Sequence, residues 1–89
     1  MNPRKKVLII DEEVDLCLLM KVYFLRKNYE VYISHSCHEA LLLANDCQPN
    51  IIFLPTASCQ NQEKDIAKIR EAFPDAEIII NNHHKYLDR

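Results

Sequence analysis

The feature that most constrains the fold is the alternation of short, wholly apolar segments with longer amphipathic ones. The run Val7–Ile10 is apolar at every position and is stopped by Asp11. The segments Ile51–Leu54 and Ile78–Ile80 repeat this pattern. A strand that is apolar on both faces is typical of a parallel sheet covered by helices on both sides. Because helical stretches separate the runs, the sequence predicts right-handed βαβ crossovers and an α/β fold with an open parallel sheet.

Three stretches carry helical periodicity, over residues 13–27, 36–46 and 63–73. Apolar residues of the first stretch recur at one side, which predicts a core-facing stripe of Leu16, Leu19, Met20, Tyr23 and Phe24. Asn28 is expected to end that helix in a left-handed conformation, the role that glycine usually takes, because the chain contains no glycine. Ser36 and Glu39 have the spacing of a capping box and predict the start of the second helix. Between these helices, residues 29–33 alternate as an edge strand does.

Composition limits the class of protein. The 89 residues form one domain, and a net charge of −2 gives no basic field for nucleic acid. No segment reaches the roughly 18 apolar residues that a membrane span needs, and no export signal is visible. The four cysteines are therefore expected to be free thiols in the cytoplasm, with a disulfide pair as the less favoured alternative.

Four segments together resemble the receiver domain of bacterial response regulators. They are Val7–Glu13, Asn28–Val31, Glu39–Leu41 and Ile69–Ala76. The resemblance implies a flavodoxin-like (CheY-like) sheet of four parallel strands in the order 2-1-3-4 with three helices. It also implies that residues 1–89 form a single shortened receiver domain that lacks the last strand and helix of the family.

The position of the family's phosphoacceptor is occupied by a residue that cannot be phosphorylated. Receivers carry the acceptor aspartate directly after the third strand, where this chain has Pro55. Proline offers no oxygen nucleophile and no backbone N–H. Asn82 (or Asn81) stands where the family has a switch Ser or Thr, and the lysine that ends the fifth strand has no counterpart. We therefore expect no phosphotransfer activity: the chain is not predicted to be an enzyme.

The family's magnesium site is represented by Asp11 and Glu12. Mg²⁺ is a hard cation that prefers anionic oxygen ligands, and two carboxylates without a third supply few of them. The site is therefore expected to be vestigial and weak. The sequence thus predicts no cofactor, with weak Mg²⁺ binding as the alternative. A simpler interpretation of Glu12 and Glu13 is that they favour the positive end of the following helix.

Two apolar surfaces predict an interface. One is the side of the first helix opposite its core stripe, formed by Val14, Leu18, Val22 and Leu25. The other is the open edge of the last strand, formed by Ile78, Ile79 and Ile80. Scattered exposed aliphatic residues are common on soluble proteins, but a line of four on one helix favours contact with another protein. We expect a protein partner or self-association, through the first helix or by exchange of sheet elements.

These features together predict a receiver-like interaction module of two-component (phosphorelay) signalling that acts without phosphorylation. Two alternatives stay open at this point. The chain could be the N-terminal fragment of a longer response regulator, or it could be a residual magnesium-dependent phosphoacceptor.

Overall fold

The computed structural model describes residues 4–44, 46–55 and 62–81. Strands and helices alternate along the chain. Their order is β1 (Lys6–Ile10), α1 (Val14–Arg26), β2 (Glu30–Ser34), α2 (Cys37–Leu42), β3 (Ile51–Pro55), α3 (Gln62–Ala72) and β4 (Glu77–Asn81).

The four strands form one parallel sheet in the order β2-β1-β3-β4, which confirms the predicted fold and strand order. Ile9 of β1 lies beside Ile33 on one side and Phe53 on the other. Phe53 in turn lies beside Ile79 of β4. β1 and β3 are thus the central strands, and their continuous apolar runs are explained by cover on both faces.

The sheet divides the core into two layers, one covered by α2 and α3 and the other by α1. Against α2 and α3, the buried residues are Leu8, Ile10, Cys37, Ala40, Ile52, Leu54, Ile69 and Phe73. Against α1, they are Val7, Ile9, Cys17 and Phe24. Neighbouring strand residues belong to opposite layers because side chains alternate across a pleated sheet.

The predicted core stripe of α1 is partly wrong. Leu19 and Tyr23 are 70% and 55% exposed, whereas Cys17 and Phe24 are buried. The inward direction of the helix is set by Phe24, whose ring packs against that of Phe53 at 5.3 Å between centroids. The helix also places the Cys17 thiol 3.3 Å from the carbonyl oxygen of Asp11. Both contacts rotate Leu19 and Tyr23 away from the sheet.

The end of α1 follows the prediction. Asn28 has a φ of 67°, in the left-handed region. The N–H of Tyr29 donates to the carbonyl of Phe24 and the N–H of Asn28 to that of Leu25, both at 3.0 Å. This pair of bonds is a Schellman motif, which satisfies carbonyls left open by the end of the helix.

The second helix ends earlier than predicted, at Leu42 rather than near Asp46. Its last turn tightens, because the N–H groups of Leu43 and Ala44 donate to carbonyls three residues back. At its start, the Ser36 hydroxyl accepts the N–H of Glu39 at 3.1 Å, as a capping box requires. The Glu39 carboxylate, however, accepts the N–H of His35, one residue before the cap.

Across the part of the chain that the structure describes, no helix is both long and apolar enough to cross a bilayer.

Candidate functional site

The carboxyl ends of the strands meet at one edge of the sheet, which we call the carboxyl edge. The chain leaves β1 toward α1 on one face and reaches α2 and α3 on the other, so the topology reverses between β1 and β3. Ligands of open α/β sheets bind at such a switch point. Asp11 follows β1 there, and Pro55 is the last residue of β3. Because Ile9 is aligned with Phe53, both residues lie at the same edge of the sheet, two residues beyond this aligned pair.

Asp11 joins three elements of the carboxyl edge. It is 2% exposed, and its carboxylate oxygen Oδ1 accepts the N–H of Glu13 at 3.0 Å. Its own N–H donates to the carbonyl of Ser34, at the end of β2. Its carbonyl oxygen lies 3.3 Å from the Cys17 sulfur and 3.0 Å from Nδ1 of His35, which donates to it. The residue therefore holds the turn between β1 and α1 and fastens it to β2.

The magnesium prediction rests on Asp11 and Glu12, whose side chains differ in environment. Asp11 is buried, whereas Glu12 is exposed. Mg²⁺ favours near-octahedral oxygen coordination. Within residues 4–44, 46–55 and 62–81, no three His, Cys, Asp or Glu side chains are grouped so that they could hold a metal ion. Weak magnesium binding by Asp11 and Glu12 therefore stays a prediction.

The other predicted positions of the site lie at the ends of β3 and β4. Pro55 ends β3 and is aligned with Asn81 of β4. The structure thus places the proline at the carboxyl edge, as the sequence predicted. Asn82, the predicted counterpart of the family's Ser or Thr, lies outside the described residues.

Two contacts at this edge were not predicted. Cys17 and His35 both approach the carbonyl of Asp11. The contact of His35 follows from the pairing of β1 with β2. Ser34 is aligned with Ile10, so the residues that follow them, His35 and Asp11, are neighbours. Burial, followed by the charges of Asp11 and Glu13, raises the pKa of the Cys17 thiol. This cysteine is a buried donor with little thiolate character, unlike a reactive cysteine.

The predicted interface residues lie at the surface to different degrees. Val14, Leu18, Val22 and Leu25 are each about half exposed, so the second apolar side of α1 faces outward as expected. In β4, Ile80 is exposed, whereas Ile78 and Ile79 are only partly so. Ile78 packs against the layer of α2 and α3. The structure therefore leaves α1 as the larger apolar surface among the described residues.

Solved structures with the same arrangement are receiver domains. A response regulator from Burkholderia pseudomallei, solved with a phosphorylated aspartic acid, a calcium ion and citrate, superposes with a TM-score of 0.77 at 26% identity. A two-component response regulator from Clostridium difficile gives 0.78 at 23% identity. A CheY-like receiver domain protein from Methanospirillum hungatei gives 0.80 at 17% identity.

The chain has the receiver fold of response regulators. These matches cover 85%, 96% and 96% of this chain in the same order. The chain spans 45% of the length of the Burkholderia protein, and 74% and 72% of the other two. No protein-family model and no curated protein matches the sequence. The receiver fold is thus established by three-dimensional similarity, at low sequence identity.

Proposed function

We propose that the chain is a receiver-type interaction module of two-component signalling that works without phosphorylation of its own. The observation that carries this proposal is the proline at the carboxyl end of β3. Receivers place their acceptor aspartate directly after this strand, and a proline ring has no oxygen on which an acyl phosphate could form. The phosphorylated aspartic acid belongs to the Burkholderia relative and has no equivalent carboxylate at position 55 here.

The surroundings of Asp11 support the same proposal. In a phosphorylated receiver the acids after the first strand hold a cation that neutralises the phosphoryl charge. Here Oδ1 of Asp11 accepts the Glu13 N–H, an arrangement that organises the start of α1. This hydrogen bond gives the Asp11 carboxylate a structural role that does not need a phosphoryl group.

The activity of this module, in our proposal, is contact with another protein. The exposed apolar side of α1 offers a place for a protein partner or a second copy. A net charge of −2 argues against nucleic acid as the partner. A cytoplasmic location, where response regulators act on other proteins, is part of this proposal.

A second candidate is that the module belongs to a longer regulator. The observation that favours it is the 45% coverage of the Burkholderia response regulator, which contains more chain than the receiver fold alone. Reading the gene downstream of the codon for Arg89 separates the two candidates. A continuous reading frame that encodes a further strand, helix or output domain would favour the longer regulator.

Treatment with acetyl phosphate and Mg²⁺ followed by intact mass measurement tests the proposal. We expect no mass gain in the natural chain, while a receiver with its acceptor aspartate, treated in parallel, gains one phosphoryl group. The matched variant Pro55→Asp tests whether residue 55 alone prevents phosphorylation. A phosphoryl mass gain in this variant would show that Pro55 is what prevents it in the natural chain. A phosphoryl gain in the natural chain, mapped to an aspartate, would overturn the proposal.

A further inference from the structure

The outward side of α1 carries a continuous apolar line. It consists of Val14, Leu18, Val22 and Leu25, which we call the outer stripe. Spacings of three and four residues align these side chains along the helix axis. The helix Val14–Arg26 has 13 residues and is about 20 Å long at 1.5 Å per residue. The stripe therefore runs the whole length of α1.

Charged residues flank the outer stripe in a self-complementary order. Asp15 lies in the first turn of α1 and Arg26 in the last, and both are exposed. Eleven residues are close to three helical turns, so the two side chains lie on the same flank of the stripe. Within the described part of the chain, no ion pair engages either of them. Lys21 lies on the opposite flank and is also exposed.

We propose that α1 pairs with α1 of a second copy in an antiparallel arrangement about a two-fold axis. Centred between Leu18 and Val22, this pairing sets Leu18 against Val22 of the second copy. It sets Val14 against Leu25 of the second copy in the same way. In an antiparallel helix pair the same flank meets itself, so Asp15 of each copy comes beside Arg26 of the other. The two-fold axis makes both contacts twice, as an isologous interface requires.

The parallel alternative lacks this ion pairing. A parallel pair brings opposite flanks together, so Asp15 and Arg26 of one copy would face the flank of Lys21 in the other copy and not each other. It would also align the helix dipoles, whereas antiparallel helices place opposite dipole ends together. Lys21 lies close to the axis in the antiparallel pair, but it is exposed and flexible enough to extend into solvent.

The size of the surface fixes the strength of the pairing. One 13-residue helix from each copy buries less than the roughly 1,200–2,000 Å² typical of stable complexes. The association is therefore weak and reversible, and it responds to protein concentration. This inference rests on the proposed interaction role and names the second copy as its partner.

Sedimentation equilibrium between about 10 µM and about 1 mM tests the pairing. We expect a monomer–dimer equilibrium within that range. The substitution Leu18→Arg places a charge in the stripe and raises the dissociation constant about tenfold or more. The matched control is Leu42→Arg, because Leu42 is an exposed leucine on α2, away from the outer stripe. It should leave the equilibrium unchanged, and circular dichroism verifies that both variants are folded.

A charge exchange tests the antiparallel geometry. The single substitutions Asp15→Arg and Arg26→Asp each create two like-charge contacts and should raise the dissociation constant about three- to thirtyfold. The double variant Asp15→Arg/Arg26→Asp recreates both ion pairs with reversed polarity and should return it to the natural value. In a parallel pair residues 15 and 26 of the two copies do not meet, so the double variant would not return the dissociation constant to the natural value.

Three results would overturn the inference. They are a monomer throughout the concentration range, a dimer indifferent to Leu18→Arg, and a double variant that is no better than the singles. A dimer that is abolished instead by Ile79→Lys would assign the contact to the edge of β4. None of these outcomes involves phosphate chemistry, so a failure here is distinct from a failure of the proposed function, which is read by mass gain.

Discussion

The two faces of the sheet differ in how completely helices cover them. Among the described residues, the face against α2 and α3 contains eight buried residues in one cluster, whereas the face against α1 contains four. The larger cluster is covered by two helices that also contact one another. In the same part of the chain, the smaller cluster is covered by α1, whose outward side is apolar. The comparison indicates that the first face supplies most of the stability of the chain and the second supplies its surface for contact.

The most direct way to break this comparison is to truncate one leucine on each side. Leu54→Ala removes a fully buried side chain from the α2–α3 face and should lower the free energy of unfolding by about 2–5 kcal/mol. Leu19→Ala truncates a side chain that is 70% exposed on α1 and should change it by less than about 0.5 kcal/mol. Urea unfolding at low protein concentration measures both. Equal losses would show that Leu19 is packed as closely as Leu54, contrary to its exposure in the structure.

Substitution of Asp11, at the start of α1, should have the next largest effect on the free energy of unfolding. Asp11→Ala removes the oxygen that accepts the Glu13 N–H and should lower the free energy of unfolding by about 1–2 kcal/mol. Asp11→Asn keeps an oxygen in the same place and should retain most of that stability. Urea unfolding of the two variants distinguishes an oxygen acceptor from a charge. If Asn is as harmful as Ala, the charge of the carboxylate, and not its position, stabilises the turn.

The end of α1 provides a smaller effect. Asn28 has a positive φ, which costs a residue with a Cβ and no local polar group about 1 kcal/mol. Asn28→Ala should lower the free energy of unfolding by about that amount, whereas Asn28→Gly should be nearly neutral. Thermal unfolding of both variants checks the difference. A neutral Ala variant would mean that the Schellman motif does not need the left-handed residue.

The smallest effect concerns Tyr32 on the edge strand β2, which packs at the border of the α2–α3 layer. A hydrogen bond from its hydroxyl to the Glu30 carboxylate, followed by burial, raises the pKa of Tyr32 from 10.0 to about 12. Because the pKa in the folded state is the higher one, this contribution to stability is complete below pH 10 and is lost as the pH rises through 12.

Absorbance titration of the tyrosines measures this shift. The chain has four tyrosines, so Tyr32→Phe identifies the transition that belongs to residue 32. Glu30→Gln removes the carboxylate and should move that transition back toward 10.0. A transition that stays near 12 in this variant would assign the shift to burial and not to Glu30.

The strand layout was predictable because it rests on local patterns. A run such as Val7–Ile10 suits burial on both faces, and the resemblance to receivers then implied the strand order. Asn28 was predictable for the same kind of reason, since a chain without glycine must end a helix with another residue that tolerates a positive φ. The boundaries of the strands differ from the predicted ones by about one residue.

The inward side of α1 was not predictable from periodicity. Apolar residues occupy most of the circumference of this helix, so several directions satisfy the pattern almost equally well. The side of α1 that faces the sheet is set by contacts with residues outside the helix, namely the ring of Phe53 and the carbonyl of Asp11. The contact of His35 with Asp11 likewise depends on the pairing of two strands. Of the site, the location of Pro55 at the end of β3 agrees with the expected one, its role stays a prediction, and Asn82 lies outside the described residues.

The place of β1 at the centre of the sheet has a consequence during synthesis of the chain. Val7–Ile10 leaves the ribosome before either of its neighbouring strands does, and the second neighbour, β3, ends at Pro55. At 5–20 residues per second, this apolar segment waits roughly 2–9 s for that strand. Exposed segments of this kind aggregate unless charges border them. Such charges border the segment on both sides, as Arg4-Lys5-Lys6 and Asp11-Glu12-Glu13. We expect them to limit aggregation of the nascent chain until β3 has emerged.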